Sequence, residues 1–262
     1  TLRAPTFRPD LEELRSLITP RTRLLLVNSP HNPTGMVLRP DEVAAIAALA
    51  IEHDLLVVTD EVYEHLVFAS GVSAGGAGAG AGTAAGHHPI AALPGMRERT
   101  VSISSSGKTF SFTGWKVGWV TGTPELVAAV RTVKQYLTYV SAGPFQYAIA
   151  TALALPDAYF AEFRADLQAK RDLLATGLAD IGFDVYVPDG TYFITTDVRP
   201  LGSKDGIEFC QALPARCGVV AIPNVVFYDN ADVGRPQVRF TFCKRREVLE
   251  AAVDRLRSGL LG

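Results

Sequence analysis

Short apolar runs and helical stripes alternate along the first half of the chain. Arg23–Asn28 (RLLLVN) is an almost continuous apolar run, and a turn-rich patch, Ser29-Pro30-His31-Asn32-Pro33-Thr34-Gly35, follows it. Over Pro40–His53 the residues Val43, Ile46, Ala47 and Ala50 fall on one helical face, and Pro40 suits a first helical turn. Leu55–Thr59 (LLVVT) is a second apolar run, ending at Asp60-Glu61. Strand, helix and strand in succession predict a βαβ unit whose parallel sheet is buried on both faces. Thr100–Ser104 and Val117–Thr121 are further strand candidates. Thr123-Pro124-Glu125 reads as N-cap, proline at the first position and an acid in the first turn of a helix reaching about Thr138. Another helix is expected over Phe145–Leu155, with Pro156 as punctuation.

From Asp157 the texture changes. A long helical pattern runs to about Ile181, followed by strand candidates at Asp184–Val187, Tyr192–Thr196, Val219–Ile222 and Gln237–Phe242, and by a terminal helix over about Arg246–Arg257. This α+β arrangement predicts a boundary near Pro156, with residues 1–155 in a large α/β domain and 156–262 in a smaller one. Ala69–Gly86 is rich in glycine and alanine, but no window places Gly at all three positions of GxGxxG, so the stretch reads as a mobile loop or linker.

Composition narrows the function classes. The 262 residues carry 25 basic and 27 acidic side chains, a balance that argues against nucleic acid or an acidic membrane as the main partner. Apolar residues make up 48% and charged residues 20%, which places the chain among globular and not disordered sequences. No apolar run reaches the ~18 residues of a membrane span, and no basic-then-apolar leader opens the chain, so a cytoplasmic location is expected. Cys210, Cys217 and Cys243 form no CxxC pair and read as buried or half-buried thiols, with no disulfide framework or zinc site. His87-His88, beside the glycine-alanine stretch, lack metal-ligand spacing.

The chemistry-bearing patches follow the strands. Asn32 comes after the first strand, Asp60 after the second, and Ser104–Lys108 after the third. Ligands of open α/β sheets bind outside the carboxyl ends of the strands. These patches are therefore expected to meet in one crevice holding a carboxylate, a lysine, an amide and several hydroxyls. Such a set suits pyridoxal 5′-phosphate, which takes a lysine for a Schiff base, a carboxylate at the pyridine nitrogen, and donors for its phosphate and phenolic oxygen.

The stretches NSPHNPTG (28–35), TDEVYEHLVF (59–68), SISSSGKTFSFTGWKVGW (102–119) and VRFTFCK (238–244) resemble the class I/II aminotransferases of fold type I. Within that group the chain is most similar to the kynurenine/methionine-type subgroup and to the actinobacterial N-succinyldiaminopimelate aminotransferases. The resemblance implies an α/β fold with a mostly parallel sheet flanked by helices, and a smaller α+β C-terminal domain. It implies Lys108 as the Schiff-base lysine and proton shuttle, and Asp60 as the carboxylate facing the pyridine nitrogen. Asn32 and Tyr63 match the pair at the phenolic oxygen, Asn32 also lying on the substrate side. Ser105 and Lys116 match phosphate-binding positions, with Ser104, Ser106 and Thr109 as lesser candidates. Lys116 stands where a related branch carries arginine, so it offers charge without a bidentate fork. Arg239 matches the residue that grips the substrate α-carboxylate with two parallel hydrogen bonds. Gly190-Thr191-Tyr192-Phe193 resembles a segment lining the substrate side, and reads equally well as strand packing. Trp115 and Trp119 read as core aromatics and Glu61 as structural.

Further implications are amino-acid and 2-oxo-acid substrates, a homodimer, and more chain ahead of Thr1 carrying a glycine-rich helix start and a ring-stacking aromatic. Asn224-Val225-Val226 departs from the small-residue turn usual after the AIP stretch, and the glycine-alanine stretch is an insertion near the expected mouth of the site. A β-lyase on the same scaffold, the effector-binding domain of a pyridoxal-type transcription regulator, and an inactive relic are the alternatives to an aminotransferase.

Overall fold

The computed structural model describes residues 1–68 and 86–262. The glycine-alanine stretch expected as a loop lies outside them, apart from Gly86. The chain opens with α1 (Leu11–Ser16), β1 (Leu24–Asn28), α2 (Pro40–Glu52) and β2 (Leu56–Asp60). Then come β3 (Thr100–Ser105), the single turn α3 (Ser106–Thr109), β4 (Gly118–Thr121), α4 (Pro124–Leu137) and α5 (Gly143–Leu153). The long α6 (Asp157–Ile181) leads into β5 (Asp184–Tyr186), β6 (Phe193–Asp197), α7 (Gly206–Cys217), β7 (Ile222–Pro223), α8 (Ala231–Gly234), β8 (Gln237–Thr241) and α9 (Arg246–Leu261).

Among the described residues the strands form two sheets. In the first, ordered β1-β2-β3-β4, the first three strands are parallel and β4 is antiparallel to β3. In the second, ordered β5-β6-β8-β7, every pairing is antiparallel. α2 forms where the apolar stripe predicts it. Pro40 opens it, the Glu42 carboxylate accepts the Arg39 N–H at 2.8 Å, and Val43, Ile46, Ala47, Leu49 and Ala50 are buried. That face packs with Leu25, Val57, Leu55, Ile90 and Met96 in one apolar cluster. Thr123 caps α4 through Oγ1, which accepts the Leu126 N–H at 3.4 Å.

The second cluster joins α6, α7, α9 and the second sheet, through Leu174, Leu178, Ile181, Leu213, Val238 and Leu256 among others. Tyr63, Leu66 and Phe68, from the chain just after β2, are members of it. This crossover is secured by backbone bonds from Phe68 N–H to Asp189 O and from Thr191 N–H to Leu66 O, at 2.8 and 3.0 Å. Gly35 lies against the same return. Its φ is +72°, and a Cβ there would stand 2.2 Å from Pro188 Cβ, so both conformation and space require glycine.

Several expectations need correction. The first sheet is not buried on both faces: α2 covers one, while on the other α4 packs only against β3, where Val101 is buried, and Leu24 and Leu56 are exposed and Leu26 is 72% exposed. α1 and α7 escape the apolar-period reading. α1 is short and held by Asp10, which accepts the Glu12 and Glu13 N–H groups at 3.0 and 2.9 Å, and Pro214 interrupts the pattern inside α7. The last strand of the second sheet's edge is only Ile222–Pro223, because α7 extends to Cys217 and Gly218, with φ +64°, turns the chain out of it. Cys243 is exposed, in contrast to buried Cys217 and half-buried Cys210, since it lies just past the end of β8. Among the described residues no helix is long and apolar enough to cross a membrane, and no group of three or more His, Cys, Asp or Glu could hold a metal ion.

Candidate active site

Strand register sets the starting line. Asn28 on β1 pairs with Asp60 on β2, and Asp60 pairs with Ile103 on β3, all at the carboxyl ends of the parallel strands. Asn28 then shapes the turn that follows. Its Nδ2 donates to Asp60 O at 2.9 Å and to Pro30 O at 3.3 Å, while its Oδ1 accepts the Asn32 N–H at 2.9 Å. His31 closes the turn by N–H to Met36 O and by accepting the Gly35 N–H at its own carbonyl, at 2.8 and 2.7 Å. Its Nδ1 lies 2.8 Å from Thr34 Oγ1, and burial brings its pKa down to about 4. The turn therefore carries Asn32 over the strand ends on a fully hydrogen-bonded frame.

Lys108 is presented by α3. Ser105 caps that single turn, its Oγ accepting the Gly107 N–H at 3.2 Å, and Ser106 ties it to Val117 O through Oγ at 2.7 Å. A Cβ on Gly107 would approach Thr113 Cα to 2.9 Å, so the loop folds tightly over the turn. The Lys108 Nζ donates to Tyr192 Oη at 3.2 Å and stands 5.6 and 5.7 Å from the ring centroids of Tyr63 and Tyr192. Tyr63 is 1% exposed and meets Tyr192 edge-on at 5.3 Å. Among the described residues its hydroxyl has no hydrogen-bond partner. Burial, then the neighbouring Tyr192, push its ionisation above the ordinary tyrosine range; Arg239 opposes this and Asp60 adds to it. The phenol is thus held protonated as a donor.

Arg239 comes from β8, opposite Thr195 on β6 and Ile222 on β7. It is 8% exposed, and its guanidinium lies over the rings of Phe193 and Phe227 at 4.0 and 4.8 Å. Its Nη1 donates to Asn32 Oδ1 at 2.5 Å. Among the described residues no carboxylate lies within ion-pair distance of it. Burial lowers its pKa, and Tyr63 and Tyr192 act the other way. A buried cation stacked on aromatic rings and lacking a counter-ion is a ready receptor for an anion.

The structure thus links Lys108, Tyr63, Asn32 and Arg239 through Tyr192 and the Phe193 ring. Asp60 ends β2, where its Oδ1 accepts the Val62 N–H at 3.3 Å and its charge acts on Tyr63. Ser105 stays with Lys108 on α3, with its hydroxyl engaged in the cap. Lys116 stands apart. It is exposed, in left-handed backbone at φ 55° and ψ 40°, and its side chain makes no hydrogen bond or ion pair with another described residue. Trp115 is not a core aromatic. It is 36% exposed and stacks on Phe145 at 4.4 Å, because the start of α5 brings that ring to the surface beside it. Tyr192 as the partner of Lys108, and Phe227 as a platform for Arg239, were not singled out in the sequence. The first lies within the GTYF segment; the second sits in the helical turn Asn224–Phe227 after β7, and only its packing against β8 reveals it.

Residues 1–256 match the family described as aminotransferase class I and II. The chain belongs to that family. It is 51% identical over 258 residues to the probable N-succinyldiaminopimelate aminotransferase of Mycobacterium tuberculosis (strain ATCC 25618 / H37Rv), across 95% of this chain and 62% of the relative. It is 36% identical over 256 residues to the methionine aminotransferase of Escherichia coli (strain K12), across 98% of this chain and 62% of the relative. The solved N-succinyldiaminopimelate aminotransferase of M. tuberculosis superimposes with a TM-score of 0.88 at 52% identity, covering 96% of this chain and 62% of that one. The chain therefore spans about three fifths of the length of the relatives it matches. The fold is that of the fold-type-I transferases, and class I/II aminotransferases of this fold use pyridoxal 5′-phosphate.

Proposed function

We propose that the chain carries the cofactor- and substrate-holding side chains of a pyridoxal-phosphate-dependent aminotransferase, which moves an amino group between an L-amino acid and a 2-oxo acid. The observation that carries this reading is the buried Arg239 guanidinium without a carboxylate partner among the described residues, bonded to Asn32 beside the Lys108–Tyr192 pair. The residues fit the cofactor: among the described residues the buried Tyr63 hydroxyl has no partner and needs an oxygen acceptor, and the Lys108 amine meets only the Tyr192 hydroxyl.

When bound, pyridoxal phosphate supplies an electron sink for the pair released at the substrate Cα. Arg239 binds the α-carboxylate bidentately and so fixes the orientation of the Cα–H bond, with Asn32 steering the guanidinium. Lys108 would take that proton at Nζ and pass it to the cofactor-side carbon of the C–N bond instead of back to Cα, with Tyr192 holding the amine in place between the two transfers. Asp60 offers the anion for the pyridine nitrogen, and Tyr63 with Asn32 offers donors to the phenolic oxygen. Ser105 and Lys116 are assigned to the phosphate.

The substrate favoured is N-succinyldiaminopimelate, with glutamate and 2-oxoglutarate as the amino couple; the name of the 51% identical relative supports it. A division into domains at residues 155 and 156, a homodimer and a cytoplasmic location belong to the same reading. Exposed Tyr136, Leu137, Tyr139 and Tyr147 on and around α4 and α5 support the homodimer, and three free thiols support the reducing compartment.

The test is chemical. After incubation with pyridoxal phosphate and borohydride, peptide mass spectrometry should find the reduced cofactor on Lys108, and Lys108→Ala should lose both the adduct and the visible absorbance. Amino transfer from glutamate should follow, fastest to the oxo acid of the succinylated substrate. Attachment to another lysine, or no transfer between any donor and acceptor, overturns the assignment.

A further inference from the structure

Glu61 and His87 lie outside the residues assigned above, yet Glu61 is one of the most heavily bonded carboxylates of the described structure. It is 9% exposed. Its Oε1 accepts Thr59 Oγ1 at 2.6 Å and Ser102 Oγ at 3.2 Å, and its Oε2 faces His87 Nε2 at 2.7 Å. Burial alone would raise its pKa, but the hydrogen bonds of His87 and Thr59, with the charge of His87 and the bond from Ser102, turn the balance downward, so it is ionised. His87 is half-buried, and its enclosed Nδ1 has no hydrogen-bond partner among the described residues. Among the described residues Glu61 is therefore the one hydrogen-bond partner of the imidazole.

Placement gives this pair a purpose. Thr59 and Ser102 are register partners across β2 and β3, and Glu61 continues the ladder through its N–H to Ile103 O at 2.8 Å. Side chains alternate faces along a strand. Thr59, Glu61 and Ser102 share one face, and Asp60, lying between Thr59 and Glu61, projects from the other. His87 reaches this underside from the chain that returns toward the helical turn at Ile90–Ala92. Three side chains thus converge on one carboxylate directly beneath the residue assigned to the pyridine nitrogen.

We propose that the Glu61–His87 pair is a positioning device for Asp60, pinning the end of β2 to β3 from the opposite face so that the Asp60 carboxylate holds its place against the ring nitrogen. This rests on the cofactor reading above. Supporting partners of this kind act by fixing the geometry of the group that touches the ligand. Removing His87 leaves a buried carboxylate short of one donor, and the strand end relaxes to satisfy it.

The experiment compares affinity for pyridoxal phosphate with affinity for its 1-deaza analogue, whose ring lacks the nitrogen, alongside kcat and the KM for the amino donor. Asp60→Asn serves as the reference and should weaken pyridoxal phosphate while sparing the analogue. His87→Ala should do the same to a lesser degree, about tenfold, lowering kcat with the donor KM unchanged; His87→Gln, which keeps a donor toward Glu61, should restore most of it. Should the alanine variant fail to fold, Ser102→Ala removes a different donor to the same carboxylate and should show the same discrimination, about threefold. Equal weakening of both ligands in the His87 or Ser102 variant, or no weakening while Asp60→Asn discriminates, overturns the positioning role and leaves the cofactor reading intact. If Asp60→Asn itself does not discriminate, the cofactor reading falls and the proposal with it.

Discussion

Acid should weaken this protein through His31. Burial holds the His31 imidazole at a pKa of about 4, against 6.5 for the free side chain. The unfolded chain therefore takes up a proton that the folded chain refuses. A folded-state pKa below the unfolded one gives a contribution that is complete above pH 6.5 and drains away as the pH falls from 6.5 toward 4. The drop from 6.5 to about 4 corresponds to about 3 kcal/mol, of which about 2 kcal/mol is already lost at pH 5. His31→Gln removes the titration while leaving an amide for the Thr34 hydroxyl. Urea unfolding of both proteins without cofactor, at steps from pH 8 to pH 5, isolates the effect. His65, whose pKa is also lowered by burial, is present in both proteins and cancels in the difference. The wild type should lose about 2 kcal/mol more than the variant over that range. Parallel pH curves for the two proteins refute the argument, because they would show that the His31 site admits the proton at no cost.

Tyr63→Phe should move two quantities in opposite directions: without cofactor the protein gains about 1 kcal/mol, since a buried hydroxyl without a partner disappears, while pyridoxal phosphate binds more weakly by titration. Arg239→Ala should weaken amino-acid and oxo-acid binding by about 2–5 kcal/mol, read as the substrate dissociation constant, because the lost partner is a buried cation. In Gly177→Ala the new Cβ would fall 2.6 Å from a Val253 methyl where α6 meets α9; a loss of about 1–3 kcal/mol is expected in urea, largely recovered when Val253→Ala is added. Gly35→Ala combines a strained φ with a collision against Pro188, so a drop in thermal stability is expected together with weaker substrate binding through Asn32 on the same turn.

Much of this architecture is local in origin. The stripe of Val43, Ile46, Ala47 and Ala50 specifies α2 because a 3.6-residue period puts all four on one side. Thr123-Pro124 opens α4 because a hydroxyl and a ring that lacks N–H suit the first turn. Two elements resist such reading for equally local reasons: α1 is too short to show a period, and Pro214 sits inside α7.

The site divides along the same line. The sequence by itself supplied the candidate side chains, since the lysine, the carboxylate, the amide and the arginine each sit in a motif whose strand or turn is written in the neighbouring residues. Only the tertiary structure decided which of them touch. Asn32 and Arg239 are separated by 207 positions and share a hydrogen bond because β8 pairs beside β6 in one particular register. Tyr192 meets Lys108, and Phe227 comes under the Arg239 guanidinium, through packing between elements that no local pattern relates. The alternation of polar and apolar residues fixes what a segment prefers to be; which face meets which is settled by the burial of whole elements against one another, and that depends on residues far away in the chain.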